Sequence, residues 1–301
     1  MIKVSGREIT ITNFPNGESL IPTEYLNNLD KDNFVDIEFK YLNDKDILHL
    51  YFLLGHLCDH KINKRNITIY YMPYSRMDRD QNGNCFTLRH VTTLLNNVIT
   101  MHDKINIVEP HSEVSMNYFN AKRINVITPL MQNILKLHPN INMICYPDKG
   151  AKDRFNDDSA PLKVVYCNKV RDFNTGEIKG LELAGETSVS GKDILILDDL
   201  CSKGGTFYHT AKKLKENGAG KIYLGVCHME YTARQGCILQ PNYNFEAEDK
   251  FTSIIEHIYC TNSMLNWVAE EGLRNNFRNI TIYDLPHFLR TNTFEEIEEL
   301  I

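Results

Sequence analysis

The chain has 301 residues, 33 of them basic and 39 acidic, with a net charge of −6, 42% hydrophobic and 24% charged residues. That balance suits a globular protein large enough for two domains, and it gives no overall positive field that would attract nucleic acid. No apolar run reaches 18 residues and Met1-Ile2-Lys3-Val4-Ser5-Gly6 has no signal-peptide pattern, so a cytoplasmic protein without membrane contact is expected.

Ile9-Thr10-Ile11-Thr12 reads as the first strand. Ile47, Leu50, Tyr51, Leu54, Leu57 and Cys58 then recur at helical spacing. Apolar strand patterns follow at 67–72, 105–108, 125–127, 141–145, 164–167, 194–197 and 222–226, and alternation with helical patterns implies an α/β protein with largely parallel sheets. Phe207, Thr210, Ala211 and Leu214 mark a helix that stops at Gly218. Eight cysteines lack any Cys-x-x-Cys pair, and Cys145, Cys167 and Cys227 lie in apolar runs, which points to buried reduced thiols. The best break is His138-Pro139-Asn140, which divides the chain into 1–138 and 139–301. The stretch 175–192, with Gly176, Gly180, Gly185 and Gly191 among its charges, is a candidate mobile loop.

The strand ends carry the chemistry. After 67–72 comes Pro73-Tyr74-Ser75-Arg76-Met77-Asp78-Arg79-Asp80, whose two arginines can present paired donors to a polyphosphate. Strand 105–108 leads to Glu109-Pro110-His111-Ser112-Glu113, an imidazole among carboxylates suited to a metal or nucleotide. Strand 141–145 leads to Tyr146-Pro147-Asp148-Lys149-Gly150, an acid in a turn that can hold hydrated Mg²⁺ beside phosphates. Strand 164–167 leads to Asn168-Lys169-Val170-Arg171. Each of these alone is an ordinary turn or strand edge.

The most specific stretch is Asp198-Asp199-Leu200-Cys201-Ser202-Lys203-Gly204-Gly205-Thr206, where a strand ends in two acids and a Gly-rich turn opens a helix. Backbone N–H groups at such a turn close on an anion. Adjacent acids cannot bind phosphate, but they suit the vicinal hydroxyls of a ribose or a metal, so the local chemistry asks for a phosphorylated sugar. Walker and dinucleotide glycine patterns are absent.

The order of these strand ends, with Phe14-Pro15-Asn16-Gly17-Glu18 near the N-terminus, resembles the ribose-phosphate pyrophosphokinase (phosphoribosyl pyrophosphate, PRPP, synthetase) family along nearly the whole chain. The resemblance implies two type I phosphoribosyltransferase-like α/β domains, each with a largely parallel sheet flanked by helices. Domain 1–138 would be the ATP side and carry oligomer contacts. Domain 139–301 would hold the sugar site and catalytic loop, its last helix being a candidate to pack back on the first domain.

The implied reaction transfers the diphosphoryl group of ATP to ribose 5-phosphate with Mg²⁺, giving AMP and PRPP for nucleotide or nicotinamide cofactor synthesis. By the resemblance, Phe14 and Glu18 contact adenine from a neighbouring subunit, and Arg76, Asp78, Arg79 and His111 lie on the ATP side. His111 and Asp148 are the metal candidates, and Lys169 and Arg171, with His111, the catalytic ones. Asp198, Asp199, Ser202, Lys203, Gly204, Gly205 and Thr206 bind ribose 5-phosphate. A homo-oligomer, dimer-based or hexameric, with shared active sites is implied. This is a divergent member: Asn16 stands where Asp is frequent, Met77 where Gln is common, Ser202-Lys203 where Asp-Thr is usual, and Asp172-Phe173-Asn174 where a further arginine is often found. Competing expectations are a phosphoribosyltransferase that consumes PRPP, and a non-catalytic regulatory subunit. Phe14–Glu18, Arg76–Arg79 and His111 argue against the former, and retention of Lys169, Arg171, His111 and Asp148 against the latter.

Overall fold

In the computed structural model the described residues are 1–30, 32–80, 83–155, 162–171, 178–185, 188–240 and 254–297. Two compact units divide the chain, Met1–Asn125 and Val126–Ile301.

The first unit opens with β1 (Ile2–Val4) and β2 (Arg7–Glu8), then a small hairpin of β3 (Thr12–Asn13) and β4 (Ser19–Leu20). It continues through β5 (Val35–Phe39), α1 (Asp44–Asp59), β6 (Arg65–Ile69), α2 (Thr87–Asn96), β7 (Lys104–Val108), α3 (Glu113–Phe119) and β8 (Lys122–Ile124). The main sheet has the order β2-β1-β5-β6-β7-β8, in which β5 to β8 are parallel. The helix stripe expected at 47–58 is α1. Its start is fixed by a capping box in which the Asn43 side chain accepts from Lys45 N–H and Asp46 accepts from Asn43 N–H. Leu50, Leu53, Leu54 and Leu57 are buried against the sheet residues Ile37, Ile67 and Ile107.

The second unit comprises α4 (Ile127–Leu137), β9 (Ile141–Tyr146), α5 (Lys149–Phe155), β10 (Lys163–Arg171), β11 (Ile178–Ala184), β12 (Asp193–Cys201), α6 (Gly205–Glu216), β13 (Ile222–Met229), β14 (His257–Thr261), α7 (Trp267–Asn276), β15 (Ile280–Tyr283) and α8 (Leu285–Thr291). Its sheet has the order β11-β10-β9-β12-β13-β14-β15, parallel except for β11. The chain leaves β9 in one direction to β10 and β11, then returns to the other side of β9 as β12. That reversal creates a crevice between β9 and β12 at the carboxyl edge, where ligands bind in open α/β sheets.

Several elements differ from the sequence reading: Ile9 to Ile11 lie between β2 and β3 and belong to neither strand, β6 ends at Ile69, and the stretch expected as a mobile loop at 175–192 contains the strand β11. The strand expected at 125–127 is β8 at Lys122–Ile124, and Ile127 already begins α4. The apolar run there is shared between a strand and the buried first turn of a helix, which periodicity cannot separate. The sequence reading placed the domain division at His138, whereas α4 belongs with the second unit because it packs on β12 and β13. None of the eight cysteines is in a disulfide, and Cys145, Cys167 and Cys227 are buried. Among the described residues, no helix is long and apolar enough to cross a membrane.

One face of β13, β14 and β15 carries a cluster of rings beside the end of α4. His138 Nε2 lies 2.6 Å from Tyr259 Oη, and His257 Nε2 lies 2.9 Å from Thr281 Oγ1. Burial, then the nearby His138, depresses His257 to about 4, with Glu256 opposing. The unfolded histidine protonates near 6.5, so protons favour the unfolded chain in the window between about 6.5 and 4. The contribution to stability is complete above that window and is lost as pH falls through it, by ~2 kcal/mol after discounting for the ring's partial exposure. Denaturant melts of wild type and His257→Gln should show the difference in stability falling from pH 7 to pH 4. A constant difference would remove His257 from the acid response.

Candidate functional site

Strand β12 does not stop at Leu197. Its ladder with β13 runs on through Asp198, Leu200 and Cys201, so both aspartates belong to the carboxyl end of the strand itself. Asp199 is buried, and the Asp198 carboxylate accepts the Asp199 backbone N–H at 2.9 Å. Arg154 from α5 bridges them, with Nη2 3.2 Å from Asp198 Oδ1 and 3.0 Å from Asp199 Oδ1. Burial and the adjacent Asp199 push Asp198 well above the usual carboxylate range, and Arg154 pulls it back. Paired carboxylates held this way present acceptor oxygens to neighbouring hydroxyls.

The turn after β12 needs its first glycine. Gly204 has φ 78° and is the residue before α6, and a Cβ there would come within 2.5 Å of Ile238 Cδ1. Only a residue without Cβ takes this left-handed, tightly covered position at low cost. Gly205 and Thr206 then begin α6 and are exposed, with their N–H groups among those that a helix start leaves without intrahelical partners. Lys203 is exposed on the same turn. The Ser202 hydroxyl instead donates to Glu230 at 2.7 Å.

Asp148 follows β9, across the crevice from β12. Its Oδ1 accepts the Ala151 N–H at 2.9 Å and so caps α5, the helix that delivers Arg154. Lys169 and Arg171 lie on β10. The parallel pairing of β10 with β9 ends at Tyr166, after which β10 continues only against β11, with Lys169 opposite Leu181 and an irregularity between Val170 and Arg171. The two cations are thus placed by backbone on a two-stranded arm at the carboxyl end of β10. Asp172-Phe173-Asn174 lies outside the described residues.

In the first unit the corresponding edge is formed by the segments after β6 and β7. Asp78 is buried, and Arg79 donates to it through Nε at 2.7 Å and Nη2 at 3.1 Å. Burial opposes ionisation of Asp78, but Arg79, Ser112 and His111 outweigh it and hold the carboxyl below its ordinary value. The structure therefore pairs Asp78 with Arg79, and His111 from the next strand end acts on Asp78 through its charge. Arg76 is exposed on the same turn. Non-glycine residues with positive φ follow both strands, Tyr74 at 60° and Glu109 at 36°. Such strain concentrates where a loop is held for function. Tyr74 is held by its hydroxyl, which donates to Asp44 Oδ1 at 2.7 Å, and Glu109 accepts from Arg123 at 3.3 Å.

Phe14 to Glu18 form the tip of the β3–β4 hairpin. Phe14 N–H donates to Glu18 O, the Asn16 amide donates to Glu18 Oε2, and Asn16 Oδ1 accepts the Glu18 N–H. Asn16 therefore sets the direction of the Glu18 carboxylate. Phe14 remains 49% exposed.

Two residues in contact with the end of β12 and its turn escaped the sequence reading. Arg154 sits in a Lys- and Asp-rich helix that reads as a solvated face, so it carries no local signal. Glu230 directly follows β13, and the rule that chemistry gathers at strand ends could have flagged it. Among the described residues, no group of three or more His, Cys, Asp or Glu is arranged to hold a metal ion. Mg²⁺ does not require one, because it commonly keeps several waters and takes one or two carboxylates together with substrate phosphates. Asp148 supplies an oxygen donor of the right kind, and the His111 imidazole suits such a hard cation less well.

No protein-family model matches the chain. The ribose-phosphate pyrophosphokinase of Sulfurisphaera tokodaii is 30% identical over 221 residues, covering 71% of this chain and 74% of the relative. The protein of the same name from Thermococcus kodakarensis is 28% identical over 224 residues, covering 73% and 77%. Among solved structures, the phosphoribosylpyrophosphate synthetase from Mycobacterium smegmatis has a TM-score of 0.72 with 17% identity, covering 95% of this chain and 88% of its own. That likeness is one of fold, and it agrees with the two type I phosphoribosyltransferase-like α/β domains expected from the sequence. The identity to the archaeal relatives extends through most of both chains, and on that ground this chain belongs to the ribose-phosphate pyrophosphokinase family of enzymes.

Proposed function

We propose that the protein transfers the β,γ-diphosphoryl group of ATP to the C1 hydroxyl of ribose 5-phosphate. The C1 oxygen attacks the β-phosphorus, the bond to the oxygen bridging to the α-phosphorus breaks, AMP departs and the hydroxyl proton passes to water. The observation that carries this reading is the Asp198–Asp199 pair, the left-handed Gly204 and the start of α6, all at the sheet's reversal point. Asp198 and Asp199 accept from the ribose hydroxyls, displacing or sharing Arg154. Lys203 and the N–H groups of Gly205 and Thr206 hold the 5-phosphate.

In this reading Arg76 and Arg79 face the nucleotide, and Asp78 orients Arg79. Asp148 and His111 face the metal, and Mg²⁺ supplies charge neutralisation on the phosphates when bound. Lys169 and Arg171 stabilise charge on the transferred group and on departing AMP. The exposed Phe14 and the oriented Glu18 bind adenine of a second copy, which makes the active form a homo-oligomer. The product feeds nucleotide or nicotinamide cofactor synthesis.

The test is an assay with ATP, Mg²⁺ and ribose 5-phosphate that follows AMP and PRPP together while each component is omitted in turn. Equal formation of both products, dependent on sugar and metal, is expected. Conversion of PRPP with a nucleobase would indicate a phosphoribosyltransferase instead, and folded protein without product would indicate a regulatory subunit. Asp199→Ala should raise the KM for ribose 5-phosphate about 10–100-fold, the loss of charge-assisted hydrogen bonds, with little change in that for ATP. Equal losses for both substrates would point to a general defect in folding.

A further inference from the structure

The turn that follows β12 is held from outside by residues 230–238. Glu230 N–H donates to Cys201 O at 2.8 Å, which joins the two strand ends. The Glu230 carboxylate then reaches back across this bond. Its Oε2 accepts from Ser202 Oγ at 2.7 Å and from Thr232 Oγ1 at 2.9 Å, and the two hydroxyls lie 3.3 Å apart. Further along, a Cβ on Gly236 would meet Lys203 O at 1.8 Å, and Ile238 lies over Gly204. Three consecutive residues of the turn, 202 to 204, are therefore in contact with this one segment.

The geometry points to Glu230 as a positioning residue for the sugar-phosphate turn, acting through Ser202. This rests on the reading of that turn as the ribose 5-phosphate site. The Ser202 proton is directed at Glu230, so the hydroxyl does not donate to a phosphate. Anion binding is left to Lys203 and to backbone N–H groups, whose aim depends on how the turn is held. A flexible turn would have to be ordered at each binding event, at the cost of affinity. Glu230 orders it beforehand with two charge-assisted hydrogen bonds, the stronger kind.

The experiment compares Glu230→Ala, Glu230→Gln, Ser202→Ala and the Glu230→Ala/Ser202→Ala double variant in the full chain. Glu230→Ala should raise the KM for ribose 5-phosphate roughly tenfold or more, as expected for loss of hydrogen bonds to a charged group, with kcat and the KM for ATP within about threefold of wild type. Glu230→Gln keeps an acceptor in place and should restore most of the affinity. The double variant should be no worse than Glu230→Ala, because both substitutions break one linkage. Additive losses, or a parallel change in the KM for ATP, would overturn the assignment. Hydrogen exchange of the amides at 201–206 supplies a readout independent of turnover. It should be faster in Glu230→Ala and near wild type in Glu230→Gln, and unchanged exchange in both would sink the proposal. Synthesis of PRPP by the unaltered chain is measured first. Its absence would refute the proposed reaction, while the exchange data would still decide whether Glu230 holds the turn.

Discussion

Replacing Lys169 with alanine should lower kcat roughly 10²–10³-fold, the scale on which one donor to developing transition-state charge acts. The KM for ATP should stay within about threefold, since in the proposed role the contact strengthens only as the diphosphoryl group moves. The structural basis is the β10–β11 arm, which carries Lys169 beyond the last parallel pairing with β9. Single-turnover measurements at saturating substrates separate the chemical step from product release. Lys169→Arg keeps the charge and should retain more activity than alanine. An unchanged rate in the alanine variant would take Lys169 out of the mechanism.

The second large effect concerns stability. Arg65 at the start of β6 is fully buried, yet its guanidinium is well supplied with acceptors. Nε donates to Asp103 Oδ1 at 2.9 Å, Nη1 to Leu54 O and Nη2 to Val98 O at 2.7 Å each, and Nη2 also meets Asp103 Oδ2. One side chain thus joins α1, the segment after α2 and the turn before β7. Arg65→Met would leave the Asp103 carboxylate buried without its cation and should cost about 3–5 kcal/mol. Urea denaturation should show the midpoint falling accordingly. Arg65→Met combined with Asp103→Leu should recover part of the loss, because removing both charges avoids the unpaired one. A loss below about 1 kcal/mol in the single variant would mean that water or a rearranged partner takes over the carboxylate.

The shape of the turn after β12 was legible in the sequence because its requirements are local. A strand, two acids, a left-handed glycine and a helix start are consecutive, and Gly204 adopts the conformation that the Gly-Gly pair implies. The parallel strands were legible for a similar reason, since burial on both faces makes each one an apolar run. Where local patterns are shared, the reading slipped. Val126 and Ile127 are buried like strand residues although Ile127 starts α4. The run at 194–197 gave no sign that β12 continues to Cys201, because Asp198 and Asp199 interrupt the apolar pattern while the ladder to β13 runs on.

Composition, apolar periodicity and the order of strand-end motifs determined the α/β class, the family and the place of the turn proposed to bind the sugar phosphate. These follow from interactions between near neighbours in the chain, and near neighbours are what a sequence displays. The tertiary structure alone decided that Arg154 from α5 bridges Asp198 and Asp199, that the charge of His111 reaches Asp78 from the next strand end, and that Glu230 takes the Ser202 hydroxyl. Each of these pairs depends on which strands lie side by side and in what register. That choice is made by burial of whole strand faces, which specifies the neighbours without leaving a mark at the residues that meet.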